Sequence, residues 1–138
     1  MVKDRDTIPY WLCTAEDTDY ESLTKDIEVD AAVVGGGLAG ITTAYLLKKE
    51  GLKVAVIEAD RICKGATGHT TAKITSQHTL IYDKIIKAFG KELAQQYADA
   101  NQHAIRFMEE LTKTNNIGCD FETQAAYVFT QDKNYVEK

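Results

Sequence analysis

Apolar positions in this chain change period along its length, and the order of the periods predicts strand, helix, strand and then helix. Residues 31–35 (AAVVG) are a short apolar run with two valines and a glycine boundary, which favours a buried strand. A helix is predicted from about Leu38 to Glu50, with Ile41, Ala44, Tyr45 and Leu46 or Leu47 on one apolar stripe. Lys48 and Lys49 stand in its last turn, where cations suit the negative end of the helix dipole, and Gly51 follows as a stop. Residues 53–58 (KVAVIE) alternate and then run apolar, as a second buried parallel strand does.

The flanking stretches are of other kinds. Residues 59–79 form a loop of small and hydroxyl residues, with room for a short helix after Thr70. Leu80 to Phe89 reads as a helix with Ile81, Ile85, Ile86 and Phe89 inward, ended by Gly90. A longer helix is predicted from Lys91 to about Thr114, with the stripe Leu93, Tyr97, Ala100, Ala104, Met108 and Leu111; Asn115, Asn116 and Gly118 terminate it. Cys119–Glu122 and Ala125–Thr130 then read as the two strands of a hairpin, with a turn at 131–134 and a further helix from Tyr135. At the other end, residues 1–29 read as an arm. Its apolar cluster of Ile8, Pro9, Tyr10, Trp11 and Leu12 is expected to pack on the domain surface, and Thr14 to Asp26 is a polar, acidic loop.

The strand–helix–strand unit gains a chemical meaning from Gly35-x-Gly37-x-x-Gly40, which lies between its first strand and its helix. Gly35 permits the tight turn out of the strand. Gly37 lets backbone approach a pyrophosphate. Gly40 lets the helix pack close to the sheet. The start of the helix, at Leu38 and Ala39, offers free N–H groups and the positive dipole end to phosphates. Three glycines at this spacing are weak evidence alone. Here a strand precedes them and Glu58 closes the second strand 18 residues after Gly40, near the ~20 that a ribose-binding acid takes. Its carboxylate can accept hydrogen bonds from ribose hydroxyls and disfavours a 2′-phosphate, hence NADP. The fold class is therefore α/β: a Rossmann-type FAD- or NAD-binding βαβ unit followed by two helices and a β-hairpin. With only two core strands, it reads as an incomplete doubly wound domain.

Charge and composition narrow the partners. The net charge of −5 is uneven: residues 1–30 carry nine acids and three bases, whereas residues 31–138 carry twelve and thirteen. That leaves no basic field for nucleic acid or an anionic membrane. No apolar run approaches the ~20 residues of a transmembrane helix, and no secretory signal opens the chain. Cys13, Cys63 and Cys119 are odd in number and widely spaced, and His69, His78 and His103 lack metal-ligand spacing. Reduced thiols in a cytoplasmic protein, without a metal site, are the simpler reading.

The loop Gly65-Ala66-Thr67-Gly68-His69-Thr70-Thr71-Ala72-Lys73, taken with VVGGGLAG and EADR, carries a family resemblance. The chain resembles FAD-dependent oxidoreductases of the D-amino-acid oxidase and glycine oxidase superfamily, in the branch of bacterial amine and γ-glutamylputrescine oxidases. That branch has a loop of the form G-A-S-G-R-N-G-G-Q at this place. The resemblance runs from about Asp30 to Thr130. It implies FAD as cofactor, with NAD the alternative that the glycine turn leaves open. It implies that Thr67 gives its hydroxyl and N–H to a phosphate, and that Thr70 and Thr71 lie nearer the ribityl chain or flavin. Arg61, beside Ala59 and Asp60, would cover the adenine or pair with a phosphate. His69 stands where Arg is common, and Thr71 and Ala72 where Gly is common. His69 and Lys73 read first as solvated side chains, His78 and His103 as structural or exposed ones. Tyr127 and Phe129 read as cross-strand packing residues, with a substrate cavity as the alternative.

On this reading residues 30–138 are the N-terminal part of an FAD-binding domain, and the hairpin near 119–130 begins a substrate domain. The family's FAD domain uses later strands as well, so the chain reads as a fragment that binds FAD weakly or not at all and is inactive alone; the alternatives are an NAD-dependent dehydrogenase or a non-catalytic piece that no longer holds its cofactor. The full protein would oxidise a small amine or amino acid by hydride transfer to FAD. Some bacterial relatives carry a C-terminal Rieske iron–sulfur domain, so that domain or another electron acceptor is expected beyond the end of this chain. No catalytic residue is assigned.

Overall fold

The computed structural model describes residues 8–129, 131 and 132. The expected turn at 131–134, the helix from Tyr135, the end of the hairpin at Thr130 and the first seven residues of the arm lie wholly or partly outside them. The elements are α1 (Tyr10–Thr14), β1 (Ala31–Val34), α2 (Leu38–Lys49), β2 (Val54–Ile57), a 3₁₀ helix (Ala66–His69) and α3 (Ile81–Thr114). They fall into two compact units, Met1–Ala72 and Lys73–Lys138, a division inside the 30–138 domain expected from sequence.

In the first unit β1 and β2 pair in parallel, with Ala31 opposite Val54 and Val34 opposite Ile57. The pair is pinned at both ends. Asp30 N–H donates to the Lys53 carbonyl at 2.9 Å, and the Asp30 carboxylate accepts from Lys53 N–H at 2.7 Å. At the far end Gly35 N–H donates to the Ile57 carbonyl at 2.8 Å. Between them runs α2, whose side chains Ile41, Tyr45 and Leu47 are half-buried while Leu46 is exposed. That settles the choice the periodicity left open. Successive strand side chains point to opposite faces, so Ala31 and Val33 are half-buried and Val34 is 84% exposed. Leu23, Ile27 and Val29 of the segment before β1 line a shallow groove with Ala32, Ala55 and Ile57.

The arm contains one element that periodicity did not predict. Its apolar cluster winds into α1, a single short helix. Pro9, which has no N–H to lose, precedes the first turn.

The second unit is dominated by α3, which is broken at Gly90 (φ +86°, ψ 167°). The two helices expected on either side of that glycine are therefore both present. The stripe that they bury is shifted. Ala94 is buried, and Tyr97, Ala98, Asn101, Ile105, Met108 and Leu111 are half-buried, whereas Leu93, Ala100 and Ala104 are exposed. The 75–78 segment packs along this line: the Tyr97 hydroxyl bonds His78 Nδ1 at 2.9 Å, and Gln102 donates to the Ser76 hydroxyl at 2.6 Å. Tyr97, Met108 and Leu111 of the expected stripe thus lie on the half-buried face, while at Leu93, Ala100 and Ala104 the next residue takes the inward place.

The hairpin expected at 119–130 is not formed among the described residues: 119–129 carry no strand. The cause is local. Ile117 N–H and Cys119 N–H close turns onto Thr112 and Ile117, and Asp120 takes φ +49°. Tyr127 and Phe129, expected to pack across strands, are 89% and 82% exposed.

At Gly90 a side chain would have to adopt a backbone region that is essentially glycine-only. Gly90→Ala is expected to lower stability by about 1–3 kcal/mol, read as a lower urea midpoint. Lys91→Ala, exposed and one residue on, should change it by less than about 0.5 kcal/mol.

Candidate functional site

The chain leaves β1 through Gly35, which has φ +103°. Gly40, in the first turn of α2, packs so close to the Gly35 carbonyl oxygen that a Cβ there would overlap it, and that Cβ would also lie 3.5 Å from Val33 Cγ1. This contact draws the start of α2 onto the end of β1. The helix has Gly37 as its N-cap, with no side-chain cap of its own.

Two side chains from after β2 close on this turn. The Glu58 carboxylate accepts from Gly36 N–H at 2.6 Å and from Asp60 N–H at 3.2 Å. The Thr67 hydroxyl accepts from Leu38 N–H at 2.9 Å. It therefore occupies the capping position that Gly37 cannot fill. Thr67 Oγ1 would lie 3.2 Å from a Cβ at Gly37, and Ile62 Cγ1 3.1 Å from a Cβ at Gly36. Cys63, at φ +60°, donates its N–H to the Gly36 carbonyl at 3.0 Å. The N–H groups of Ala39 and Gly40 lie in the same first turn, before the helix can supply acceptors of its own.

The Glu58 carboxyl is held below its ordinary range, chiefly by the Gly36 N–H, then by those of Asp60 and Ala59, while partial burial opposes them. Asp17 is also lowered, first by its hydrogen bond to Lys64, then by the charges of Lys64 and Arg61. Its carboxylate lies 2.6 Å from Lys64 Nζ and 3.6 Å from Arg61. Arg61, expected at an adenine or phosphate, thus meets an acid from the arm.

Gly35, Gly37, Leu38, Ala39, Gly40, Glu58 and Thr67 are brought together, while Ala59, Thr70 and Thr71 are exposed. Ala66–His69 is helical before Thr70, not after it as the sequence suggested. The Thr70 hydroxyl accepts from Ala72 N–H at 3.2 Å. His69 Nδ1 lies 2.8 Å from the Gly65 carbonyl oxygen, so that nitrogen carries the proton and the ring braces its own turn. Sequence reasoning missed Gly36 as the partner of Glu58, and Ile62 and Cys63 as the floor beneath it. The GGG run was the available signal, since a middle glycine at that turn leaves room for a neighbour.

These residues fit a dinucleotide's ADP half. Backbone N–H groups and a hydroxyl converge on one turn, the half-buried Gly37 leaves its backbone without a side chain over it, and a carboxylate stays ionised at the end of β2. A family model described as FAD-dependent oxidoreductase (DAO) matches residues 30–138. A putative Rieske 2Fe-2S iron–sulfur protein of Bacillus subtilis (strain 168) is 42% identical over 94% of this chain and 25% of its own length. The γ-glutamylputrescine oxidoreductase of Escherichia coli (strain K12) is 30% identical over 83% of this chain and 27% of its own. The thiamine thiazole synthase of Thermotoga maritima is 33% identical over 62% and 33%. The chain thus spans about a quarter to a third of these relatives. No solved structure matches it. No helix among the described residues is long and apolar enough to cross a membrane.

Because the folded Glu58 value is depressed, its contribution to stability is complete above the ordinary 4.5 and is lost as pH falls through the lower folded value. Urea midpoints taken from about pH 6 down to about pH 3 should decline. Glu58→Gln should flatten part of that decline, and Asp17→Asn a further part.

Proposed function

The chain belongs to the family of FAD-dependent oxidoreductases, and on that premise we propose that its glycine turn holds the ADP half of FAD. The observation that carries this reading is the convergence of Glu58 and Thr67 on Gly36 and Leu38, at 2.6 and 2.9 Å. Ala39 and Gly40 direct their N–H groups to the pyrophosphate, where the helix dipole adds a favourable field, while Leu38 N–H orients Thr67. Glu58, ionised and fixed by Gly36, accepts from the ribose hydroxyls. Thr67 serves as a hydroxyl donor to a phosphate while its oxygen keeps the Leu38 N–H. Ala59 and Arg61 border the adenine, and Thr70 and Thr71 extend toward the ribityl chain.

Bound FAD would supply the redox chemistry, accepting the hydride of a C–H bond next to an amine nitrogen, whose N–H proton is lost as the C=N bond forms. A small amine or amino acid is the proposed substrate, in keeping with the relative named for γ-glutamylputrescine. A Rieske domain is one candidate for the electron acceptor of the whole protein, in keeping with the relative named for that cluster. Residues 30–138 would be the N-terminal part of the FAD domain, with 1–29 as an arm. The exposure of Val34, 84%, on the sheet face turned away from α2 supports weak FAD retention by this chain alone.

In an NMR titration of residues 1–138, ADP is expected to shift the amide signals of Gly36 to Gly40. Glu58→Ala should weaken ADP about tenfold, the loss of a hydrogen bond to a charged group. FAD should bind weakly, without the slow release of a resident cofactor. Signals at Gly36 to Gly40 that ADP and FAD both leave unmoved would rule out the assignment.

A further inference from the structure

The Arg61–Thr70 loop is gripped by the N-terminal arm at three points. Leu12 is seated on Gly68, which is buried; a Cβ there would collide with Leu12 Cδ2 and lie 2.6 Å from the Cys63 carbonyl oxygen. The indole N–H of Trp11 donates to the Thr70 carbonyl at 2.9 Å, just past the end of the 3₁₀ helix. The Asp17 carboxylate meets Lys64 at 2.6 Å and Arg61 at 3.6 Å. Between these anchors the loop reaches the glycine turn instead, through the Cys63 N–H on the Gly36 carbonyl at 3.0 Å and the Thr67 hydroxyl on Leu38 N–H at 2.9 Å.

We propose that the arm is a latch on this loop, and that Trp11, Leu12 and Asp17 are positioning residues that hold Thr67 at the start of α2. None of the three is among the groups assigned to the nucleotide. They act through the loop. A hydroxyl caps a helix only when its oxygen is held within hydrogen-bond reach of the first N–H groups, and Thr67 is 29 residues from Leu38 in sequence. Local chain stiffness cannot keep it there. The 3₁₀ helix that carries Thr67 has four residues and no side-chain cap, so an outside support has work to do. The anchors differ in kind. Leu12 on Gly68 excludes water and is insensitive to salt. The Asp17 pairs are exposed, so they add a small part that salt screens. The acidity of the arm, which suits no nucleic acid or membrane, has a local partner in Lys64 and Arg61.

The proposal rests on the glycine turn being the FAD site for its functional meaning, but its physical core can be measured without ligand. Trp11 is the sole tryptophan, so its emission reports on the arm directly. In residues 1–138, Trp11→Phe and Asp17→Asn are each expected to raise the solvent-exchange rate of the Leu38 amide about two- to fivefold. The Val33 and Val56 amides in the strands should keep their rates. Asp17→Glu should restore the Leu38 rate, and added salt should raise it in the parent chain but not in Asp17→Asn. In Asp17→Asn, Trp11 emission should become more accessible to acrylamide, and ADP should bind more weakly by a similar factor. The latch is overturned if Leu38 exchange is unchanged in both variants, or if Val33 and Val56 accelerate with it, which marks general destabilisation. Should ADP fail to bind the parent chain, the FAD assignment falls while Leu38 exchange still decides the latch.

Discussion

Gly40 and the carbonyl oxygen of Gly35 are packed so closely that no side chain fits between them. That contact brings α2 back over β1 within five residues, and the rest of the first unit depends on it. With the helix start held at the end of β1, Gly36 N–H meets the acid that ends β2, at 2.6 Å. The parallel pair and the acid are then one object, since Gly35 N–H also bonds the Ile57 carbonyl. A bulkier turn would separate the helix start from the carboxylate, and the proposed nucleotide site would lose the closeness of the two.

The charges around this turn are arranged with the same economy. Glu58 is a carboxylate placed close to a helix N-terminus, where N–H groups keep it ionised. The cations that follow it in the chain, Arg61 and Lys64, are engaged by Asp17 of the arm. An acid at the strand end and neutralised cations beyond it suit an unmodified ribose better than a 2′-phosphate. The membership in a flavin family agrees with this, and it resolves the choice between FAD and NAD that the glycine turn leaves open.

The second unit follows a different rule. Its long helix carries apolar residues on adjoining lines, and the line that becomes half-buried is the one where Tyr97 and Asn101 meet partners. Tyr97 is central: its hydroxyl bonds His78, its carbonyl accepts from Asn101 at 2.7 Å, and its ring meets Tyr82 edge-on. A histidine read from sequence as structural or exposed is thus part of a polar seam that fastens the 75–78 segment to α3.

What could be read along the chain is what neighbours in sequence decide. Strand–helix–strand order, the stop at Gly51, the break at Gly90, the turn at Gly35 and the close packing at Gly40 follow from backbone sterics and period, which act over a few residues. The acid at Glu58 was legible because the unit has a fixed length. Contacts between distant segments were not legible in this way. Glu58 to Gly36 spans 22 residues, Thr67 to Leu38 29, and Trp11 to Thr70 59. The shifted stripe of α3 and the missing strands at 119–129 belong with them. A helix face needs a partner segment to define it, and a strand needs another strand to supply its hydrogen bonds. Composition and spacing state that such partners are wanted; which groups meet is settled by where folding brings the backbone.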